Sequence, residues 1–328
     1  MSEEGTEGRL GESMDKGLLK EFMAEQAIPL RAKFDDFLAV ALGVRRASQF
    51  ISPAELPDAA ILGSTIDARF RQKMEGRRLP GESLSDFMKN KMGRYLRRSR
   101  AQEIRYRLDV LRDMYKDVVE NSHSYQTYIG WARKLGLSYK ELESRPTIRE
   151  IYLFKDPDVA VELDELQEMR KDIRWEKTRA PVAGEPAYVR AFPEEQNPAF
   201  VKKLGRILGF PACCIERYAF DRESAILTPE QRASNQLVNL VEEEYDPYAF
   251  FTKDFFPCQP DCEEAGQMGR ALYEALAAID SEVAAEYQRH LAENVELVRQ
   301  YPEIIKKKIE ALEKMAASAK AQEGDTVE

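Results

Sequence analysis

The chain has 328 residues, 43% of them hydrophobic and 33% charged, with 49 basic against 58 acidic side chains and a net charge of −9. That apolar content excludes a fully disordered chain, and the acidic balance argues against a protein that is basic overall and built to coat nucleic acid. No run of about 18 apolar residues occurs, so no membrane span is expected, and the acidic start MSEEGTEGRLGESMDKG lacks the features of a secretory signal, which makes the cytoplasm the expected compartment.

Residues 1–16 are Gly, Glu and Ser with little apolar content, and read as a disordered lead-in. Residues 17–144 read as a helical domain. Leu30, Phe34, Phe37, Leu38 and Ala41 recur at helical spacing, and Gly43 is a natural stop. Ser52-Pro53 and Leu56-Pro57 mark a loop and a helix start, and the stretch from Gly76 to Gly81 marks a turn. Ser83 or Ser85 can cap one long helix that ends at Asn121-Ser122, with Ile104, Leu108, Leu111, Tyr115 and Val118 as its apolar stripe.

The interval 66–112 holds 14 Lys and Arg against 6 acids, a net +8 inside an acidic chain. Arg94, Arg97, Arg98 and Arg105 concentrate there with Tyr95 and Tyr106, a composition that could meet RNA or other phosphates. A solvated helix face paired with acids has the same composition.

Residues 145–315 read as an α+β and helical domain. Ile148–Phe154 and Ala187–Phe192 are β-branched and aromatic, as strands are, and flank a helix at 158–172. Phe200, Leu204, Ile207 and Leu208 line one helix face, and Gly209 stands where a C-terminal cap belongs. From Pro260 a long helix is expected, striped by Met268, Leu272, Leu276, Ile279, Val283, Tyr287, Leu291, Val295 and Val298, with Pro302 starting another. Residues 316–328 read as a flexible tail. The fold expected is mainly α, with helices at both ends and a small mixed α+β element in the middle.

All four cysteines fall within 213–262. Cys213 and Cys214 follow Gly209-Phe210-Pro211-Ala212, and Cys258 and Cys262 lie in Phe256-Pro257-Cys258-Gln259-Pro260-Asp261-Cys262. Pro211 and Pro260 each stand two residues before a cysteine. Proline favours the first position of a helix, which places Cys213 and Cys262 in first turns, where the helix dipole favours thiolate. Thiolates bind metals and attack disulfides.

Four chemistries follow. An iron–sulfur cluster spreads its ligands over several irons and accepts neighbouring cysteines. A zinc ion takes Cys-x₃-Cys readily, but adjacent cysteines are awkward on one tetrahedral ion. A redox dithiol and a set of buried thiols complete the alternatives. The leading expectation is an iron–sulfur metalloprotein for redox chemistry or substrate activation, served by an electron or small-molecule partner. A zinc-stabilised, non-catalytic binding module, with RNA as a candidate partner, and a thiol–disulfide protein are the alternatives.

Cys213, Cys214, Cys258 and Cys262 are the expected ligands. Because successive helical positions diverge by about 100°, Cys213 and Cys214 share the site only if the helix start is irregular, and otherwise Cys213 faces the site and Cys214 the core. Phe210, Pro211, Glu216, Phe256, Pro257 and Asp261 are expected around the ligands, and Glu263 and Glu264 lie close in sequence. His123 and His290 have no companion at ligand spacing and read as structural.

These motifs resemble a family of archaeal and bacterial proteins, domain of unknown function 483. The likeness rests on Gly209, Pro211, Cys213, Cys214, Pro257, Cys258 and Cys262 and covers about residues 145–300. It implies no activity. It does imply a histidine before the Pro-Cys step, where this chain has Asp254-Phe255-Phe256, so a mixed Cys/His ligand set is not expected here.

Overall fold

The computed structural model describes residues 14–76, 83–96, 99–180, 192–224, 226–238, 240–241, 244–253 and 255–324. The chain divides into two units, Met1–Leu163 and Asp164–Glu328.

In the first unit, α1 (Lys16–Ala24) starts where the Asp15 carboxylate accepts the Leu18 N–H at 2.7 Å. Helix α2 (30–41) widens into a π-helix over Lys33–Leu38 and stops at Gly43, whose φ of 75° is the left-handed turn expected there. Phe34, Phe37 and Leu38 are fully buried. The stripe read from the sequence is therefore core.

A three-stranded antiparallel sheet supplies the small β element. Its order is β1 (Ala47–Ser52), β3 (Ile148–Phe154), β2 (Ser138–Arg145), and Ile151 sits between Phe50 and Glu141 in register. The central position of β3 explains its continuous run of buried residues. The second strand expected, Ala187–Phe192, is not one of its described partners. Residues 187–191 lie outside the described residues, Phe192 is in no strand, and both pairing strands come from stretches the sequence reading left helical or unassigned. Strand β1 pairs with a segment about a hundred residues away, so no hairpin turn marks it. Residues 145–163 accordingly lie with the first unit.

The single helix expected from Ser83 to Asn121 is two. Ser83 caps α4 (Leu84–Leu96), following α3 (Ala59–Met74), by accepting the Asp86 N–H at 3.1 Å. Ser99 and Gln102 then form a capping box that starts α5 (Arg100–Tyr115), which runs on into a π-turn at Lys116–Glu120. Tyr115 and Val118 are buried, but Ile104 is exposed, so only the far end of that stripe is core. Ser122 caps α6 (His123–Lys134).

On the sheet face beneath α6, the Tyr125 hydroxyl donates to the Glu141 carboxylate. Burial raises the Glu141 pKa above the ordinary carboxylate range. An acid with a raised folded-state pKa is least destabilising while protonated, so its penalty sets in as pH rises above the unfolded-state value. Glu141→Gln is therefore expected to gain stability relative to the parent between about pH 4 and pH 7. Denaturant melts of both proteins at the two pH values check this; a constant difference contradicts it.

The division between units falls inside α7 (Asp158–Arg179). The second unit contains α8 (Pro198–Ile207), α9 (Ala212–Ser224), α10 (Pro229–Leu237), a 3₁₀ turn at Pro247–Phe250, α11 (Glu263–Ile279) and α12 (Ser281–Gly324). Gly209, with φ 73°, closes α8 as expected, and the Phe210 N–H returns to the Gly205 carbonyl. The long helix expected from Pro260 breaks at Asp280, whose carboxylate accepts the Glu282 N–H at 3.0 Å and caps a new helix. Its stripe is thus shared: Leu272 and Leu276 are buried on α11, and Tyr287, Leu291 and Val295 on α12. Pro302 lies inside α12 rather than starting a helix, and α12 continues past Ala316. Among the described residues no helix is long and apolar enough to cross a membrane.

Candidate metal centre

The two cysteine segments meet in the second unit. Helix α9 starts at Ala212, just after Pro211, which puts Cys213 and Cys214 in its first turn. The Gly205 position lets α9 approach α8, because a Cβ there would stand 2.8 Å from Ile215. Cys262 differs from expectation. It is the residue before α11, and Pro260 belongs to the preceding turn rather than to the helix. Glu263, not proline, takes the first helical position, so Cys258 and Cys262 flank a turn that leads into α11.

The four Sγ atoms lie within 4.8 Å of one another and could hold a metal ion. Cys213 to Cys214 is 3.8 Å, Cys213 to Cys262 is 3.7 Å, and Cys214 to Cys262 is 3.6 Å. Cys214 and Cys262 are buried; Cys213 and Cys258 are partly exposed at the rim. The expectation that Cys214 turns to the core is corrected. The 100° divergence applies to the Cα–Cβ directions, and one bond farther out both sulfurs reach the same centre. Cys214 is the better embedded of the two, and its sulfur accepts the Cys258 backbone N–H at 3.4 Å.

The helix-dipole expectation is also corrected. Burial, reinforced by the Cys262 sulfur, pushes the Cys213 thiol up to about 12, and burial raises the Cys214 and Cys258 thiols as well. Packing four sulfurs out of water opposes the gathering of negative charge more strongly than a helix terminus favours it. A cation held by the four sulfurs would supply the missing positive charge.

Around the sulfurs, Phe210 stacks on Phe255 at 4.8 Å, Phe251 packs against Phe255 at 4.9 Å, and Phe256 meets Tyr301 edge-on at 5.3 Å. Pro211 and Pro257 are buried. Glu216 is exposed and pairs with Lys202 at 2.5 Å, and Asp261 is exposed. The acid beside the cluster is instead Glu264, whose carboxylate accepts from the Cys213 sulfur at 3.5 Å.

Sequence reasoning missed Arg232 on α10 and Asp221 on α9. Their side chains are each 4% exposed and form an ion pair at 2.7 Å. Arg232 also donates to the carbonyls of Phe256, Pro257 and Cys258. No spacing in the sequence signals this, because the arginine lies 18 residues from Cys214 and 26 from Cys258.

Among the described residues the basic segment gathers no comparable site. Arg97 and Arg98 lie outside the described residues, Arg94 lies on α4, and Arg105 is exposed on α5. On α5, Arg107 pairs with Glu103 at 3.0 Å, and Arg112 pairs with Asp109 and Glu143, each at 2.9 Å. His290 is buried beside Asn294 on α12. No family model matches the chain, and no match was found among curated proteins or solved structures.

Proposed function

We propose that Cys213, Cys214, Cys258 and Cys262 bind a single tetrahedral ion, zinc, and that the ion staples the second unit. The spacing of the sulfurs carries this reading. Zinc–thiolate bonds of about 2.3 Å make a tetrahedron whose edges are about 3.8 Å. The sulfurs of Cys213, Cys214 and Cys262 stand 3.6–3.8 Å from one another, and all four lie within 4.8 Å. A cluster would place its thiolates on different irons and hold them wider apart. Zinc thus takes precedence over the iron–sulfur cluster expected from the adjacent cysteines.

Four protein ligands complete a tetrahedron and leave no position for water or substrate, the arrangement of structural zinc sites. The ion would join the start of α9 to the start of α11 and the turn between Cys258 and Cys262. In this reading the protein is a zinc-stabilised helical module rather than a redox catalyst, and it belongs in a compartment that keeps thiols reduced.

Metal analysis of protein purified without oxygen tests it. The expected result is one zinc per chain and a colourless solution. A brown protein containing iron and acid-labile sulfide would restore the cluster, and metal-free protein with intact thiols would remove the site.

A further inference from the structure

We infer that Arg232 is a positioning residue for the metal centre, one that fixes the Cys258 peptide so that its N–H points at the Cys214 sulfur. This rests on the zinc reading above, and it adds the residue that tunes the site. One guanidinium gathers three consecutive carbonyls. It donates to Pro257 O at 2.6 Å, Cys258 O at 3.3 Å and Phe256 O at 3.4 Å. With the carbonyls collected on the arginine side, the Cys258 N–H is left for Cys214 Sγ at 3.4 Å.

The arginine is itself held from two sides. Asp221 accepts from Nε at 2.7 Å, and Gln236 accepts from Nη1 at 2.7 Å. Asp221 lies on α9, the helix whose first turn carries Cys213 and Cys214. The ion pair therefore ties the body of that helix to the segment leading into Cys258. Arginine suits the task because its planar fork presents several donors in fixed directions, whereas lysine offers a single mobile point.

An N–H aimed at a coordinated thiolate withdraws charge from the sulfur, and such outer partners typically change metal affinity about 10–100-fold. Arg232→Lys keeps the charge opposite Asp221 and loses the fork. In the full chain, zinc competition against a chromophoric chelator should show affinity weakened by about 10–100-fold. In the cobalt(II)-substituted variant, the sulfur-to-cobalt charge-transfer band should move to lower energy, because a thiolate without its hydrogen bond is the better electron donor. A purely structural role would leave that band in place.

Arg232→Met combined with Asp221→Asn provides the second variant. It leaves no stranded buried charge, so its helicity should survive, and it should repeat both the affinity loss and the band shift. Parental affinity and an unmoved cobalt band in Arg232→Lys, or in the double variant, would overturn the assignment. Wild-type protein that holds neither zinc nor cobalt would instead overturn the metal reading on which it rests.

Discussion

Cys214→Ser and Cys262→Ser are each expected to abolish stoichiometric zinc binding and to lower the stability of the second unit by about 4 kcal/mol at free zinc a thousandfold above Kd. Both cysteines are buried, and their sulfurs stand 3.6 Å apart. Serine offers a poorer ligand, and water has little access to replace it. Cys213→Ser should be milder, because Cys213 lies at the rim with the Glu264 carboxylate at 3.5 Å, and a carboxylate is an acceptable zinc ligand. This order is the reverse of the one expected from sequence, in which Cys214 mattered least. Zinc content and thermal melts with and without chelator check this. Chelator should lower the wild-type melt and leave the Cys214 and Cys262 variants unmoved. Full zinc retention at Cys214→Ser would contradict the four-ligand site.

Gly269→Ala is expected to destabilise the second unit by about 3 kcal/mol, the upper part of the overpacking range. A Cβ at Gly269 would stand 2.2 Å from the Tyr248 carbonyl oxygen, a backbone atom that cannot rotate aside. The loop carrying Tyr248 is held in turn. The Asp246 N–H bonds to Pro260 O at 3.1 Å, and the Asp246 carboxylate accepts from Arg270 at 2.6 Å. Pushing that loop away disturbs the turn between Cys258 and Cys262, so zinc affinity should fall with stability. Gly63→Ala is the control. Gly63 lies in α3 with nothing within 4 Å of its Cβ position, so the change should be neutral or stabilising by about 0.5–1 kcal/mol. Urea melts of the two variants separate lost space from altered helix propensity. Equal effects would show that the close approach at Gly269 is not limiting.

Local rules made much of the fold legible. Gly43 and Gly209 end their helices, and the stripes on α11 and α12 are core. Each of these depends on residues within a turn or two of one another. The failures have a common cause. The helix breaks at Ser99 and Asp280 are set by single caps inside continuous apolar patterns. Strand β1 takes its identity from β3, and a short segment with remote partners carries little signal of its own.

For the candidate site, the sequence by itself determined the ligand types, their crowding into fifty residues, and the placement of Cys213 and Cys214 in a first turn. Those follow from composition and from a proline beside a helix start, both local properties. Only the tertiary structure decided that all four sulfurs lie together, that Cys214 is among them, and that Arg232, paired with Asp221, donates to the carbonyls leading into Cys258. Sulfur separations depend on how α9, α10 and α11 cross. Those crossings are set by packing, such as Gly205 against Ile215 and Gly269 against Tyr248. A buried guanidinium finds its three carbonyls only after the chain has folded around it, because they lie 24–26 residues along the chain from Arg232.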